Sequence, residues 1–155
     1  MIKILVELWD KNKNRLEQAL RTYENIKYID YKTLVKVTFD NIYNYDNAIY
    51  VSSIKYLDCD NLTEIDDGDY QGTLIYLIPF KTYQPSEYEY LMTYVRYGSC
   101  SGCDTLLSIT DYIRGTPTDE NIKDLMALCK DIVTNTIRPY NIGWRYDDLF
   151  DIIDY

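Results

Sequence analysis

The chain contains no histidine among its 155 residues. Histidine is the usual general base near neutral pH, so its absence excludes Ser-His-Asp and Cys-His catalytic machinery. Lysine and arginine number 16 against 25 acidic residues, which gives a net charge of −9 and leaves no basic cluster. Direct nucleic-acid binding needs clustered positive charge, so we expect none. The composition favours a binding protein over an enzyme, and we expect no cofactor.

Long apolar segments are also missing. The N-terminal sequence Met1–Asp10 lacks the apolar stretch of a signal peptide. No apolar run approaches the roughly 20 residues that a membrane-spanning helix needs. We therefore expect a cytoplasmic protein that does not associate with membranes and whose thiols stay reduced.

Tyrosine is abundant, with 18 copies against 3 phenylalanines and 2 tryptophans. Its ring is apolar and its hydroxyl is polar, which suits half-buried sheets and contact surfaces. An AT-rich coding sequence would produce the same excess. A length of 155 residues and a hydrophobic fraction of 46% predict one domain over 1–155 with its own core. Residues 144–155 form an acidic, aromatic tail that we expect to be loosely attached.

The first third of the chain has helical spacing. Apolar residues predict a helix over Asn12–Tyr23, and Ile2–Leu8 is either a first strand or the head of that helix. Asp30 is a candidate N-cap of a second helix, whose apolar face extends to Tyr45. The β-branched run Thr33–Thr38 would instead favour a strand. We expect the helix.

The middle of the chain has the pattern of strands. Alternation and apolar runs predict strands over Ala48–Leu57, Thr73–Phe80 and Tyr88–Tyr97. The acidic segment Asp58–Asp69 is predicted to be a turn. Because the connections are short and polar, an antiparallel meander is the simplest arrangement.

Two further helices are predicted after the strands. One begins near Asp104, and a longer one is capped by Thr118 and carries an apolar stripe from Ile122 to Ile137. Cys129 falls on this stripe, so we expect it to be buried and structural. The predicted fold class is α+β, with a small antiparallel sheet of three to four strands packed with N-terminal and C-terminal helices.

The sequence places a Cys-x-x-Cys pair, Cys100 and Cys103, at a strand-to-helix turn. A helix N-terminus would favour a thiolate there, which is the chemistry of a redox dithiol. Together with the isolated Cys59 and Cys129, the pair could instead form a four-cysteine zinc site. A tight turn without any chemistry is the third interpretation. Our main hypothesis assigns no metal.

Two segments rich in small residues suggest a ligand pocket as an alternative function. We predict that Asp66–Gly72 and Gly98–Asp104 lie close together, where backbone N–H groups could hold a nucleotide or another small ligand. The sequence is not a P-loop, and Asp104 would repel a phosphate. The candidate ligand-binding residues are Asp69, Tyr70, Gln71, Gly72, Ser99, Cys100, Ser101, Gly102, Cys103 and Asp104.

The same two segments carry a family resemblance. The sequence from Asp66 to Leu74, followed by an apolar strand and then Tyr94 to Leu106, resembles a family of small hypothetical proteins of bacteriophages. The resemblance covers about residues 64–135, and the Ser-Cys-Ser-Gly-Cys-Asp portion is its most specific part. It implies phage origin and action in the cytoplasm of the host cell, with no established activity and no catalytic residue.

The leading functional hypothesis combines this resemblance with the negative charge. A small acidic phage protein is suited to bind a host defence protein and inhibit it, by presenting carboxylates to a basic nucleic-acid-binding channel. The candidate partner-binding residues are Asp58, Asp60, Glu64, Asp66, Asp67, Asp69, Asp147, Asp148, Asp151 and Asp154.

Overall fold

A computed structural model of the chain describes residues 2–44, 56–86 and 89–138. In these ranges the chain forms four α-helices, two short 3-10 helices and one three-stranded antiparallel sheet, so the predicted α+β class is confirmed. The 3-10 helices are Ile26–Tyr28 and Cys59–Asn61. The other elements are α1 (Ile2–Arg21), α2 (Tyr31–Ile42), β1 (Thr63–Asp66), β2 (Gly72–Pro79), β3 (Tyr90–Tyr97), α3 (Thr105–Thr110) and α4 (Asp119–Thr134).

The helix α1 packs against both α2 and α4. Its buried leucines, including Leu16 and Leu20, recur at helical spacing and face the main core. The guanidinium of Arg21 at its C-terminal end lies 2.9 Å from the carboxylate of Asp119 at the start of α4. The segment Ile2–Leu8 is the head of this helix and not a strand. No helix in the described ranges is long and apolar enough to cross a bilayer.

The predicted cap of α2 is confirmed. The Asp30 carboxylate accepts a hydrogen bond of 2.8 Å from the backbone N–H of Thr33, which satisfies one of the unpaired donors of the first turn. Leu34, Thr38 and Ile42 recur every four residues and are fully buried. This packing outweighs the β-branched run, and the helix forms. Tyr45 lies outside the described residues.

The predicted cap of α4 is confirmed as well. The Thr118 hydroxyl accepts from the N–H of Asn121 at 3.1 Å, and the Asn121 side chain accepts from the N–H of Thr118 at 2.9 Å. The helix ends at Thr134, before Ile137. Ile137 instead exchanges two backbone hydrogen bonds with Met92 at the edge of the sheet.

The sheet has the order β1-β2-β3, with Asp66 opposite Leu74 and Gly72 opposite Tyr97. One face contributes residues such as Tyr76 to the core that the helices share. The other face contributes Ile75 and its neighbours to a smaller cluster.

The first strand differs from the prediction. β1 lies within Asp58–Asp69, so the prediction of a turn over that whole segment is wrong. β1 is a short edge strand, and its acidic residues hide the usual alternation of apolar and polar side chains. Ile65 packs against the smaller cluster, while Glu64 and Asp66 point to the other face. The predicted strand Ala48–Leu57 lies mostly outside the described residues. Within them, Leu57 forms one isolated bridge with Phe80.

Candidate functional site

A groove of about 580 Å³ opens between the sheet and the helices. Its walls are the 3-10 turn before α2, the edge strand β1, the end of β3 and the short helix α3. Among the described residues that line it, five are acidic and one is basic, Lys27. Leu74 and Leu106 supply apolar surface. We name this feature the acidic groove, and its acidic residues are Asp30, Glu64, Asp66, Asp104 and Asp111.

The single lysine of the groove is engaged by backbone carbonyls. The Lys27 ammonium donates to the carbonyl oxygens of Asp111 at 3.3 Å and Ile113 at 3.4 Å, just after α3. It therefore fastens the 3-10 turn to the segment that follows α3. Among the described residues, no ion pair joins its ammonium to an acidic side chain of the groove, so the negative charge of the groove is largely uncompensated.

Three tyrosine hydroxyls each donate a hydrogen bond to a carboxylate at the groove. A phenol is a neutral donor, so these bonds bring no positive charge to the groove and use only part of the accepting capacity of each carboxylate. The bond to Asp66 raises the pKa of Tyr97 to about 12, and burial raises the pKa of the other two tyrosines. The pairs are Tyr31 with Asp104 at 2.9 Å, Tyr76 with Glu64 at 2.8 Å and Tyr97 with Asp66 at 2.6 Å.

The side chain of Asp104 connects α2, α3 and the end of β3 at the back of the groove. Its side chain is buried, and Oδ1 accepts both the Tyr31 hydroxyl and the backbone N–H of Leu107, each at 2.9 Å. Its Oδ2 accepts the N–H of Gly98 at 2.9 Å. Asp104 is thus the N-cap of α3 and a link to α2. The sequence predicts it as a ligand-binding residue, but these three bonds give it a structural role.

The predicted acidic surface is brought together only in part. Glu64 and Asp66 lie on one face of β1 and line the groove, while Asp67 and Asp69 lie in the exposed turn beside it. Asp147, Asp148, Asp151 and Asp154 of the predicted tail lie outside the described residues.

Asp58 and Asp60 lie at the opposite end of β1. Asp58 directly precedes the 3-10 helix Cys59–Asn61, and Asp60 lies within it. Asp60 forms an ion pair of 3.2 Å with Lys36, and Asp58 accepts from the side chain of Asn61 at 2.7 Å. Hydrogen bonding to Asp40 raises the pKa of Lys36. These two predicted partner-binding residues are therefore separate from the groove.

The two segments rich in small residues lie at the same end of the sheet, as predicted, because Gly72 pairs with Tyr97 immediately before Gly98. Three backbone donors in and beside these segments already bond to carboxylates of the protein. The N–H of Gly68 bonds to Asp66, the N–H of Thr73 bonds to Asp67, and the N–H of Gly98 bonds to Asp104. These carboxylates would repel a phosphate placed beside them, which disfavours a nucleotide at these positions.

The remaining members of the predicted pocket are surface residues. Tyr70 is 82% exposed, and Asp69, Gln71, Ser99 and Gly102 are exposed as well. Ser101 and Gly72 are half-buried. None of these residues lines the acidic groove; of the two segments, only Asp66 and Asp104 contribute side chains to it.

The Cys-x-x-Cys pair is exposed in the turn between β3 and α3. The two Sγ atoms are 2.9 Å apart, and the Cys103 sulfur accepts the backbone N–H of Cys100 at 3.1 Å. The predicted cause of thiolate stabilisation is wrong, because α3 has only six residues and is capped by Asp104. Hydrogen bonds from the thiol and the backbone N–H of Cys100, and from Ser99, lower the pKa of Cys103.

The other two cysteines are buried in the core. Burial raises the pKa of Cys129 to about 12 and also raises that of Cys59. The predicted burial of Cys129 is confirmed. Across residues 2–44, 56–86 and 89–138, no group of three or more Cys, Asp or Glu side chains is arranged to hold a metal ion. The structure does not assemble the four-cysteine zinc site.

No pattern in the sequence indicates the wall of the groove that precedes α2. Lys27, Tyr28 and Tyr31 come from a segment in which only the cap was predicted, and Tyr31 meets Asp104 across 73 residues. One local signal is readable: Asp104 lies two residues before the apolar run that begins at Leu106, which is the pattern of an N-cap.

Comparison with protein-family models, with curated proteins and with solved structures finds no match to the chain. Its function is therefore inferred from the chemistry of the acidic groove and of the cysteine pair.

Proposed function

We propose that the protein acts by binding a basic surface of another protein, with the acidic groove and the adjoining turn as its contact surface. The observation that carries the proposal is the composition of the groove, with five acidic residues against one lysine that is held by backbone carbonyls. An arginine or lysine side chain of the partner would enter the groove, with its stem against Leu74 and Leu106 and its charge near the carboxylates.

Glu64 and Asp66 are the side chains best placed for that contact. They are two residues apart on the same face of an edge strand, so their positions along the strand differ by about 7 Å. Exposed ion pairs contribute only about 0.2–1 kcal/mol each, but close pairs at a protein interface reach about 1.5–7 kcal/mol. A partner that covers the groove would exclude water from these ion pairs, so their contribution to the binding free energy would lie closer to the higher range.

Exposed aromatic side chains surround the groove and support an interface. Tyr28 lines it and is 79% exposed, and Tyr112, beside the groove residue Asp111, is 69% exposed. Tyr70 is exposed at the tip of the turn that follows Asp66. Tyrosine is enriched in interfaces because it buries a large rigid surface and offers a hydroxyl.

The resemblance to phage proteins leads us to propose the kind of partner. A host defence protein with a nucleic-acid-binding channel presents the lysines and arginines that the acidic groove is suited to bind. The protein would occupy that channel in the cytoplasm of the host and inhibit the defence protein, without binding nucleic acid itself. Electrostatic steering would speed the association at low salt.

The test compares two double variants that remove the same charge. Glu64→Gln with Asp66→Asn neutralises the groove and keeps hydrogen-bond acceptors for the tyrosines. Asp124→Asn with Asp131→Asn neutralises exposed positions on α4, which contributes no residue to the groove. Each protein is used to capture its partner from host-cell extract, and the dissociation constant is then measured with the purified partner.

We expect the groove variant to bind about tenfold more weakly or worse, a loss of about 1.4 kcal/mol. Its affinity should also depend less on salt, because screening shortens from about 10 Å at 0.1 M to about 3 Å at 1 M. The α4 variant should bind like the unmodified protein. Equal weakening by both variants would mean that net charge alone acts, and no weakening by either would contradict the proposal.

A further inference from the structure

The second chemically distinctive feature is the cysteine pair. The two Sγ atoms are 2.9 Å apart, a separation that a small movement of the side chains can close to the disulfide length of about 2.05 Å. Both thiols are exposed. We propose that Cys100 and Cys103 form a dithiol that exchanges with disulfides and closes to an intramolecular disulfide. This proposal does not depend on the acidic groove.

The backbone between the two cysteines already has the required shape. The N–H of Cys103 bonds to the carbonyl of Cys100 at 3.0 Å, which closes a four-residue turn. Such a turn keeps its end Cα atoms within about 7 Å, and disulfides span about 4.4–6.8 Å. A small rotation of the side chains is enough to form the bond. Gly98 leaves the space for it, since a Cβ there would lie 2.7 Å from the Cys103 sulfur.

The hydrogen bonds assign different roles to the two sulfurs. The Cys103 sulfur accepts the backbone N–H of Cys100 at 3.1 Å and has the Ser99 hydroxyl 3.9 Å away. These donors favour its thiolate, the form that attacks a disulfide. No backbone N–H in the turn is recorded as a donor to the Cys100 sulfur. Cys103 is therefore the attacking thiol, and Cys100 is the resolving thiol.

The exchange balances with a small-molecule disulfide such as glutathione disulfide as the oxidant. The Cys103 thiolate attacks one sulfur of the disulfide, forms a mixed disulfide and releases one glutathione thiolate. The Cys100 thiol loses its proton and attacks the Cys103 sulfur, which releases the second glutathione. The protein dithiol loses two electrons and two protons, and glutathione disulfide becomes two glutathione molecules.

The test is incubation of the folded protein with glutathione disulfide, followed by thiol alkylation and peptide mass spectrometry. We expect a Cys100–Cys103 disulfide in the unmodified protein, and reduced Cys59 and Cys129, which are buried controls in the same molecule. Cys100→Ser should accumulate a glutathione adduct on Cys103. Cys103→Ser should form its adduct on Cys100 more slowly, because no backbone N–H of the turn donates to the Cys100 sulfur, whereas Cys103 accepts the N–H of Cys100.

Circular dichroism on each variant is the control for folding. We expect each variant to fold, because the substitutions lie in an exposed turn and leave the core residues unchanged. The proposal is overturned if Cys100 and Cys103 stay reduced while the protein is folded. Equal rates for the two single variants would overturn the assignment of Cys103 as the attacking thiol. Stoichiometric zinc on the purified protein that is lost in Cys100→Ser would overturn the redox role in favour of a metal site.

Discussion

Replacing Asp104 by alanine tests whether this residue holds the groove or binds a ligand. The substitution removes the cap of α3, which costs about 1 kcal/mol. It also leaves the Tyr31 hydroxyl and the N–H of Gly98, both buried, without their acceptor. Each buried donor without a partner costs about 1–3 kcal/mol. Because water can enter from the groove, we expect the lower part of that range and a total of about 3–5 kcal/mol.

The isosteric variant Asp104→Asn separates these contributions. Its Oδ1 still accepts from Tyr31 and Leu107, but its Nδ2 meets the N–H of Gly98 as a second donor. Losing this one bond should cost about 1–2 kcal/mol. Tyr31→Phe should cost a similar amount, since it leaves the N–H of Leu106 without the hydroxyl that it now bonds at 3.1 Å. The double variant of Tyr31 and Asp104 should cost less than the sum of the two single variants.

The assay is urea unfolding monitored by circular dichroism. With a slope of about 2 kcal/mol per molar, the alanine variant should lower the unfolding midpoint by about 1.5–2.5 M. Such a loss is a large part of the roughly 5–15 kcal/mol that stabilises a domain. If the alanine variant kept its stability within about 0.5 kcal/mol and lost only partner binding, Asp104 would be a binding residue and the structural role would be wrong.

Further predictions concern the turn, the core and pH. Gly98→Ala should destabilise the fold by about 2 kcal/mol or more in urea unfolding, because its Cβ collides with Cys103, whereas at Gly102 the nearest atom to a Cβ is 3.9 Å away and alanine should cost under about 1 kcal/mol. Cys129→Ser should lower the free energy of unfolding by about 1–3 kcal/mol, because it places a hydroxyl in the core. A change near zero, as expected for an exposed residue, would contradict its burial. Thr118→Ala should cost about 1 kcal/mol, and Thr134→Ala at the far end of α4 should cost clearly less. Burial raises the pKa of Cys129 and Tyr76, so the unfolded chain ionises at lower pH than the folded protein does. The free energy of unfolding should therefore keep this contribution below about pH 8.5 and decrease as the pH rises from about 9 to 12. A free energy of unfolding in urea that stays constant across that range would contradict the burial.

The sequence predicts the helices that have caps and stripes. Thr118 and Asp30 are readable because an N-cap is a local signal, satisfied within three residues by Asn121 and Thr33. The apolar spacing of α4 is equally local, since it repeats within one element. The apolar stripe predicts an end of α4 that is too late, because Ile137 is apolar but belongs to a bridge with Met92 that depends on tertiary structure.

The strand β1 could not be read from its composition. It has four residues, and the acidic side chains of Glu64 and Asp66 resemble those of a turn. They are tolerated in a strand because this edge faces the groove, where Tyr76 and Tyr97 donate to them. Only the long-range packing of the sheet explains why carboxylates stand at these positions.

The groove itself was only partly predictable. Negative charge at Asp66 and the closeness of the two small-residue segments followed from the sequence. The wall that contains Tyr31 did not, because a hydrogen bond across 73 residues leaves no local pattern. The redox interpretation of the cysteine pair attributes thiolate stabilisation to a helix N-terminus, but the groups that lower the pKa of Cys103 are its neighbours in the turn, Cys100 and Ser99.

The wide sequence span of the groove has a consequence for the order of synthesis. Its lining runs from Lys27 to Asp111, and the bonds that close it reach Asp104 from Tyr31. Contacts of such separation form late, because a long loop must close before any of them stabilises the chain. A nascent chain that ends before α3 lacks one wall of the groove. We therefore expect a ribosome-bound chain to acquire its binding surface only after residue 111 has left the exit tunnel.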